Sequence, residues 1–190
     1  MPTFVLRRAK GSPALSVAVV RRIANAMLSE LELASAELSV LLTNDAEIHA
    51  LNREHRDHDK ATDVLSFPLE EGEAVLRPKN PGQTRALGDV VISLDTAERQ
   101  ARARKRELLL EVRFLLAHGL LHLLGYDHAN PQEKREMTAQ TRRLVRAVER
   151  VTANRRKNAV RLPKGARATK PSARAKPGKR AARARARHAK

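Results

Sequence analysis

Apolar residues recur along this chain with two different periods, and the changes between them mark out nine elements. "TFVLRR" (3–8) reads as a first strand. Over 13–33, Leu15, Val19, Ile23, Ala26, Met27 and Leu31 return every three or four residues, the spacing of one helix face, with Ser12 as N-cap and Pro13 in the first turn. "ELSVLLT" (37–43) is apolar and partly β-branched, which suits a strand. "NDAEIHALNREHR" (44–56) opens on an N-cap asparagine followed by acidic residues that complement a helix N-terminus. "TDVLSFPL" (62–69) is a further strand, ended near Pro68. Residues 70–86 hold Gly72, Pro78, Pro81 and Gly82 and read as an exposed loop. "LGDVVISL" (87–94) is the last strand, after which Ser93 or Asp95 caps a helix through "ERQARARKRE", with a break near Lys105.

"ELLLEVRFLLAHGLLHLLG" (107–125) is apolar nearly all round, so it belongs in the centre of the fold, and Gly125 is placed to end it. Pro131 opens a last amphipathic helix to about residue 152. The order β–α–β–α–β–β–α–α–α implies an α/β (α+β) domain. Its expected form is a small mixed four-stranded sheet packed against helices, with a central buried helix.

Charge divides the chain in two. Residues 151–190 carry 15 Lys and Arg and no acid, whereas 1–150 carry 23 basic and 21 acidic residues. A near-neutral domain over 1–152 is therefore followed by a polybasic tail over 153–190. The tail is rich in Ala, Arg, Lys, Pro and Gly and lacks the apolar surface to offset its ordering entropy, so disorder is expected. The absence of cysteine removes disulfides and thiolate ligands. The apolar run "ALSVAVV" is too short for a membrane span and is interrupted by Arg21 and Arg22, so a cytoplasmic protein is expected.

The stretch "HGLLHLLGYDH" (118–128) carries the chemistry. His118 and His122 lie four apart and so share a helix face. Gly125 lets the chain turn back and offers His128 as a third ligand. Three neutral imidazoles leave a fourth zinc position open, the arrangement of catalytic sites. The spacing equals that of the metzincin proteases, but Gly119 stands where those enzymes place their glutamate base. Peptide hydrolysis by that route is therefore disfavoured.

These residues resemble the signature of the YbeY endoribonucleases. "LNREHRDHDKATDVLSFPL" (51–69) is similar to that family's L-N-x-x-x-R helix end followed by T-D-V-L-S-F-P, and "LGDVVIS" (87–93) to its glycine–aspartate strand. The blocks occur in the family order, and the likeness covers about 15–150. The resemblance implies one zinc ion per chain held by His118, His122 and His128, with Arg56 as the functional arginine near it. It implies a single-strand-specific endoribonuclease acting on ribosomal RNA, in maturation of the small-subunit 3′ end and in ribosome quality control. RNA and the small ribosomal subunit are the expected partners, with neither a membrane nor a specific DNA. A non-catalytic zinc-containing assembly factor is the competing reading. The tail lies outside the resemblance, and its charge suits tethering to RNA by counterion release.

Other polar residues carry two readings each. Asp63 and Asp89 are candidates to orient the histidines, and Asp63 is equally a turn cap. His55 and His58 neighbour Arg56 and either touch RNA or line an exposed loop. His49 reads as a surface helix residue and Asp127 as a turn residue. Phe4, Phe67, Phe114 and Tyr126 are the chain's aromatic residues, too few for a stacking platform.

Overall fold

The structure, a computed structural model, describes residues 3–9, 15–69, 84–127 and 129–160, with the backbone alone over 151–160. Its elements follow the expected order: β1 (Thr3–Arg7), α1 (Val17–Glu30), β2 (Glu37–Thr43), α2 (Asp45–Arg56), β3 (Val64–Pro68), β4 (Ala86–Ser93), α3 (Leu94–Ala103), α4 (Leu108–Leu123) and α5 (Pro131–Val160). One sheet has the strand order β1-β2-β4-β3. β1, β2 and β4 are parallel, and β3 runs antiparallel to β4 with Ser66 opposite Val90. The sheet is mixed and four-stranded, as the pattern implies.

Pleating sends alternate residues to opposite faces. Val5, Leu38, Val40, Leu42, Val90 and Ile92 join the large core, together with Met27 and Leu28 of α1, Leu116, Leu120 and Leu123 of α4, and Met137 and Leu144 of α5. Ile48 of α2 packs on the other face, against Leu65 and Val91. The apolar helix α4 is enclosed nearly all round, with ten of its residues buried, and it packs in the large core.

Local chemistry explains the boundaries. Asn44 caps α2 by accepting from the Glu47 N–H at 2.9 Å, and Ser93 caps α3 by accepting from the Thr96 N–H at 3.2 Å. The break near Lys105 is a left-handed residue at φ 51°. Three helix ends differ from the sequence pattern. α1 starts at Val17 with Ser16 in the N-cap position, not at Ser12–Pro13, because the described backbone at 15–16 is not helical and Ser16 is extended. α1 stops at Glu30 rather than 33, because Glu32 turns left-handed at φ 60° and the Leu33 N–H returns to the Leu28 carbonyl at 2.8 Å. Leu33 then packs against the core, so an apolar residue that looks like one more helical position is the hydrophobic partner of the helix end. α5 continues to Val160 rather than about 152, since "ANRRKNAV" contains no breaker. Ser12 and Pro13, the loop over 70–83 and the tail beyond 160 lie outside the described residues. No described helix is long and apolar enough to cross a membrane.

Candidate active site

α4 reaches the sheet unusually closely at one point. A Cβ built on Gly119 would stand 2.7 Å from Val90 Cγ1, 3.1 Å from Ser66 Oγ and 3.2 Å from Val64 Cγ2. Position 119 thus faces β3 and β4 and has no room for a side chain. Ser66, itself buried, donates its hydroxyl to the Gly119 carbonyl at 3.0 Å and pins the helix there. The missing glutamate therefore has a packing reason: the place it would occupy is filled by the sheet.

Gly119 lies between the two histidines, which project to the side of this contact. The His118 and His122 rings are 4.8 Å apart between centroids and perpendicular. Both are half-buried. Phe114, one turn earlier, lies nearly parallel to His118 at 10° and 6.3 Å. The helix ends as the glycine suggests. Gly125 takes φ 82°, its N–H returns to the His122 carbonyl at 3.0 Å, and the Tyr126 N–H returns to Leu121 at 3.0 Å. This paired closure ends the helix within one turn of His122. His128 lies outside the described residues, and no group of three metal-binding side chains comes together among those described. By donor chemistry the two imidazoles on one face fit a zinc ion.

Arg56 arrives from the other side of β3. It is the last residue of α2, which Asp57 ends in the left-handed conformation at φ 56°. Buried Asn52 holds the following loop through its amide, 2.8 Å from the Lys60 carbonyl. Arg56 Nη2 donates to the Ser66 carbonyl at 2.9 Å. Ser66 thus accepts from Arg56 through its backbone and donates to the histidine helix through its hydroxyl. Residues 56 and 119 meet across this single strand position. Sequence reasoning missed Ser66, because a serine within an apolar strand gives no signal of the helix that will dock on it.

The secondary candidates separate clearly. The Asp63 carboxylate accepts from the Val64 N–H at 2.9 Å and from Gln100 Nε2 at 2.9 Å, so it caps the start of β3 and ties it to α3. Asp89 neighbours Val90 on β4 and points to the opposite face from the one α4 covers. It is not an orienting partner for the histidines. His55 packs edge-on against Phe67 at 5.2 Å, and His49 pairs with Asp59 at 2.8 Å on the surface. His58 and Asp127 are exposed.

α2 and α3 are locked together at their N-termini. Asp45 accepts from Ser93 Oγ at 2.5 Å and Thr96 Oγ1 at 2.6 Å, and pairs with Arg99 Nη1 at 2.7 Å. Burial raises the Asp45 pKa, but the bonds from Ser93, Thr96 and Arg99 and the Arg99 charge outweigh it and hold the carboxyl below its ordinary range.

Comparison with known proteins places the chain in a family. The family model described as endoribonuclease YbeY matches residues 10–149. A protein named endoribonuclease YbeY from Anaeromyxobacter sp. (strain Fw109-5) is 52% identical over 128 residues, covering 67% of this chain and 62% of the relative. Another of that name from Heliobacterium modesticaldum is 43% identical over 133 residues, covering 67% of this chain and 80% of the relative. The chain thus spans about three fifths of the first relative's length, 62%, and more of the second. The solution structure of TM1509 from Thermotoga maritima shares the fold, with a TM-score of 0.55 at 24% identity over 87% of this chain and 99% of that one.

Proposed function

The chain belongs to the endoribonuclease YbeY family, and on that premise we propose that it cleaves single-stranded RNA beside the histidine face of α4. Its place is in maturation of the 3′ end of small-subunit ribosomal RNA and in ribosome quality control, in the cytoplasm. The observation that carries this reading is the double use of Ser66, which brings Arg56 to the strand against which the histidine-bearing turn is seated.

His118, His122 and His128 would hold one zinc ion. Zinc bound by three imidazoles supplies Lewis acidity and a source of hydroxide at neutral pH. The chain's own contribution is orientation and charge. Arg56 spends one of its five N–H donors on the Ser66 carbonyl, which fixes the guanidinium and leaves other donors for phosphoryl oxygens. An RNA substrate offers a second nucleophile besides water, the neighbouring 2′-hydroxyl, and whichever of the two attacks loses its proton to a group other than residue 119, which has no side chain to take it. The same packing at Gly119 argues against a metzincin-type peptidase, whose base would have to sit in the sheet.

The test is purified protein on single-stranded RNA, structured RNA and casein, with zinc and with chelator. Metal analysis is expected to give about one zinc per chain, following from the single three-imidazole site. Cleavage of single-stranded RNA should disappear with chelator and in His122→Ala. It should fall about 10²–10³-fold in Arg56→Ala, the usual cost of one charge-stabilising donor. RNA cleavage that survives His122→Ala would sink the proposal. A folded, zinc-loaded protein that binds ribosomes and cuts nothing would favour the non-catalytic assembly factor.

A further inference from the structure

The face of α4 that carries the histidines does not end at His118. Glu111, Phe114, His118 and His122 follow one another at spacings of three, four and four, so all four project from one side of the helix. Glu111 is fully buried, at 0% exposure. Arg104 Nη1 pairs with its Oε1, and Arg106 pairs with its Oε2 through both Nε and Nη2. The Arg106 guanidinium also lies over the Phe114 ring, 5.6 Å from its centroid. Phe114 in turn is stacked along His118. A continuous ladder of planar groups therefore runs from Arg106 to the histidine pair.

We propose that Arg104 and Arg106, gripped by buried Glu111, form a phosphate subsite for an RNA strand that leads to His118 and His122. The inference rests on the RNA-cleaving reading and extends it. One arginine is enough to neutralise a buried carboxylate; here there are two, and the surplus positive charge is on the outside. Arg104 meets Glu111 through Nη1 and is half exposed, 50%, so its guanidinium remains accessible from solvent. Lys105 stands between the two, at the left-handed apex of the turn from α3 to α4, and adds a further cation.

A guanidinium clamped by a carboxylate is a ready-made fork for phosphate oxygens. Its side chain is already ordered, so RNA binding costs less entropy than at a free surface arginine. Glu111 and His118 are seven residues apart, about 10 Å along the helix. That is roughly three nucleotides at the ~3.4 Å spacing of a stacked strand. The subsite would hold a phosphate a few nucleotides from the scissile one, and would govern affinity for longer RNA without touching the bond that breaks.

Arg104→Gln is the discriminating variant, because Arg106 still neutralises Glu111 and glutamine still offers it a donor. Binding of labelled single-stranded RNA is measured by fluorescence anisotropy over a salt series, with one RNA just covering the cleavage point and one extending beyond it. Cleavage of both is followed separately, and thermal unfolding reports the fold. For the longer RNA, Arg104→Gln is expected to weaken Kd and raise KM by about three- to tenfold, with kcat unchanged, and to reduce the salt slope by about 0.7, the share of one single-strand phosphate. The short RNA should be unaffected, and Arg104→Lys should restore the slope.

Unchanged affinity and slope in folded Arg104→Gln would overturn the subsite and leave the arginines as a brace for Glu111. The same holds if a polyglutamate chain, and not RNA, shows the Arg104 dependence. Wild-type protein that cuts RNA with Arg104-independent affinity overturns the subsite alone. Wild-type protein that binds long RNA through Arg104 and cuts nothing supports the subsite and overturns the nuclease.

Discussion

Gly119 carries two meanings that only the fold separates. As a letter in the chain it is the absence of a glutamate. In the structure it is a contact point where helix and sheet approach so closely that a methyl group would overlap Val90. Gly119→Ala should therefore destabilise the protein by about 1–3 kcal/mol, the range for overpacking, despite the better helix propensity of alanine. Urea unfolding measures this; a variant as stable as the parent would show that the helix can lift away at no cost. Glu111 shows the reverse case. An acid inside "ELLLEVRF" is visible as an anomaly in the sequence, but the two arginines that meet it come from a turn that periodicity shows only as a break.

At the scale of elements, order and type were legible because their signals are local. Asn44, Ser93 and Gly125 each satisfy backbone groups within a few residues, so cap chemistry survives whatever the rest of the chain does. The end of α1 was misjudged because Leu33 is apolar for a tertiary reason, its return onto the core. The junction of α2 with α3 was also invisible, since Asp45 and Ser93 are 48 residues apart. That junction has a pH signature. The Asp45 carboxyl titrates below its ordinary range in the folded chain, so it contributes stability above its unfolded pKa of about 3.9, and this is lost as pH falls through the folded value. Asp45→Asn should cost about 1–3 kcal/mol at neutral pH, the worth of hydrogen bonds to a charged group. The gap to the parent should narrow in denaturation series taken below about pH 4. A gap of constant size across that range would show that the hydrogen bonds are independent of the charge.

At the scale of the whole molecule, most of the net positive charge and the candidate site lie in different parts of the chain. Residues 161–190 contain 12 Lys and Arg and no acid. Deleting them should leave turnover of a short RNA within about twofold and reduce the salt dependence of binding to long RNA or ribosomes, since counterion release scales with the phosphates neutralised. A truncated protein with an unaltered salt slope would remove the tether from consideration. The core that supports the site depends on the strand order β1-β2-β4-β3, in which β4 is inserted between β2 and β3. That insertion sets Val90 and Ser66 side by side under Gly119.

The sequence by itself determined the identity and order of the elements, the helical pairing of His118 with His122, the turn at Gly125 and the separation of a near-neutral domain from a cationic tail. All of these depend on residue type at short range, where 3.6-residue and two-residue periods and cap chemistry act. Tertiary structure alone decided that Arg56 reaches β3 at the residue that also holds α4, that Asp89 faces away from the histidines, and that Glu111 is closed over by two arginines. These contacts join residues far apart in the chain through a sheet whose neighbours are not consecutive. No local period encodes such contacts, because burial of the shared core selects them.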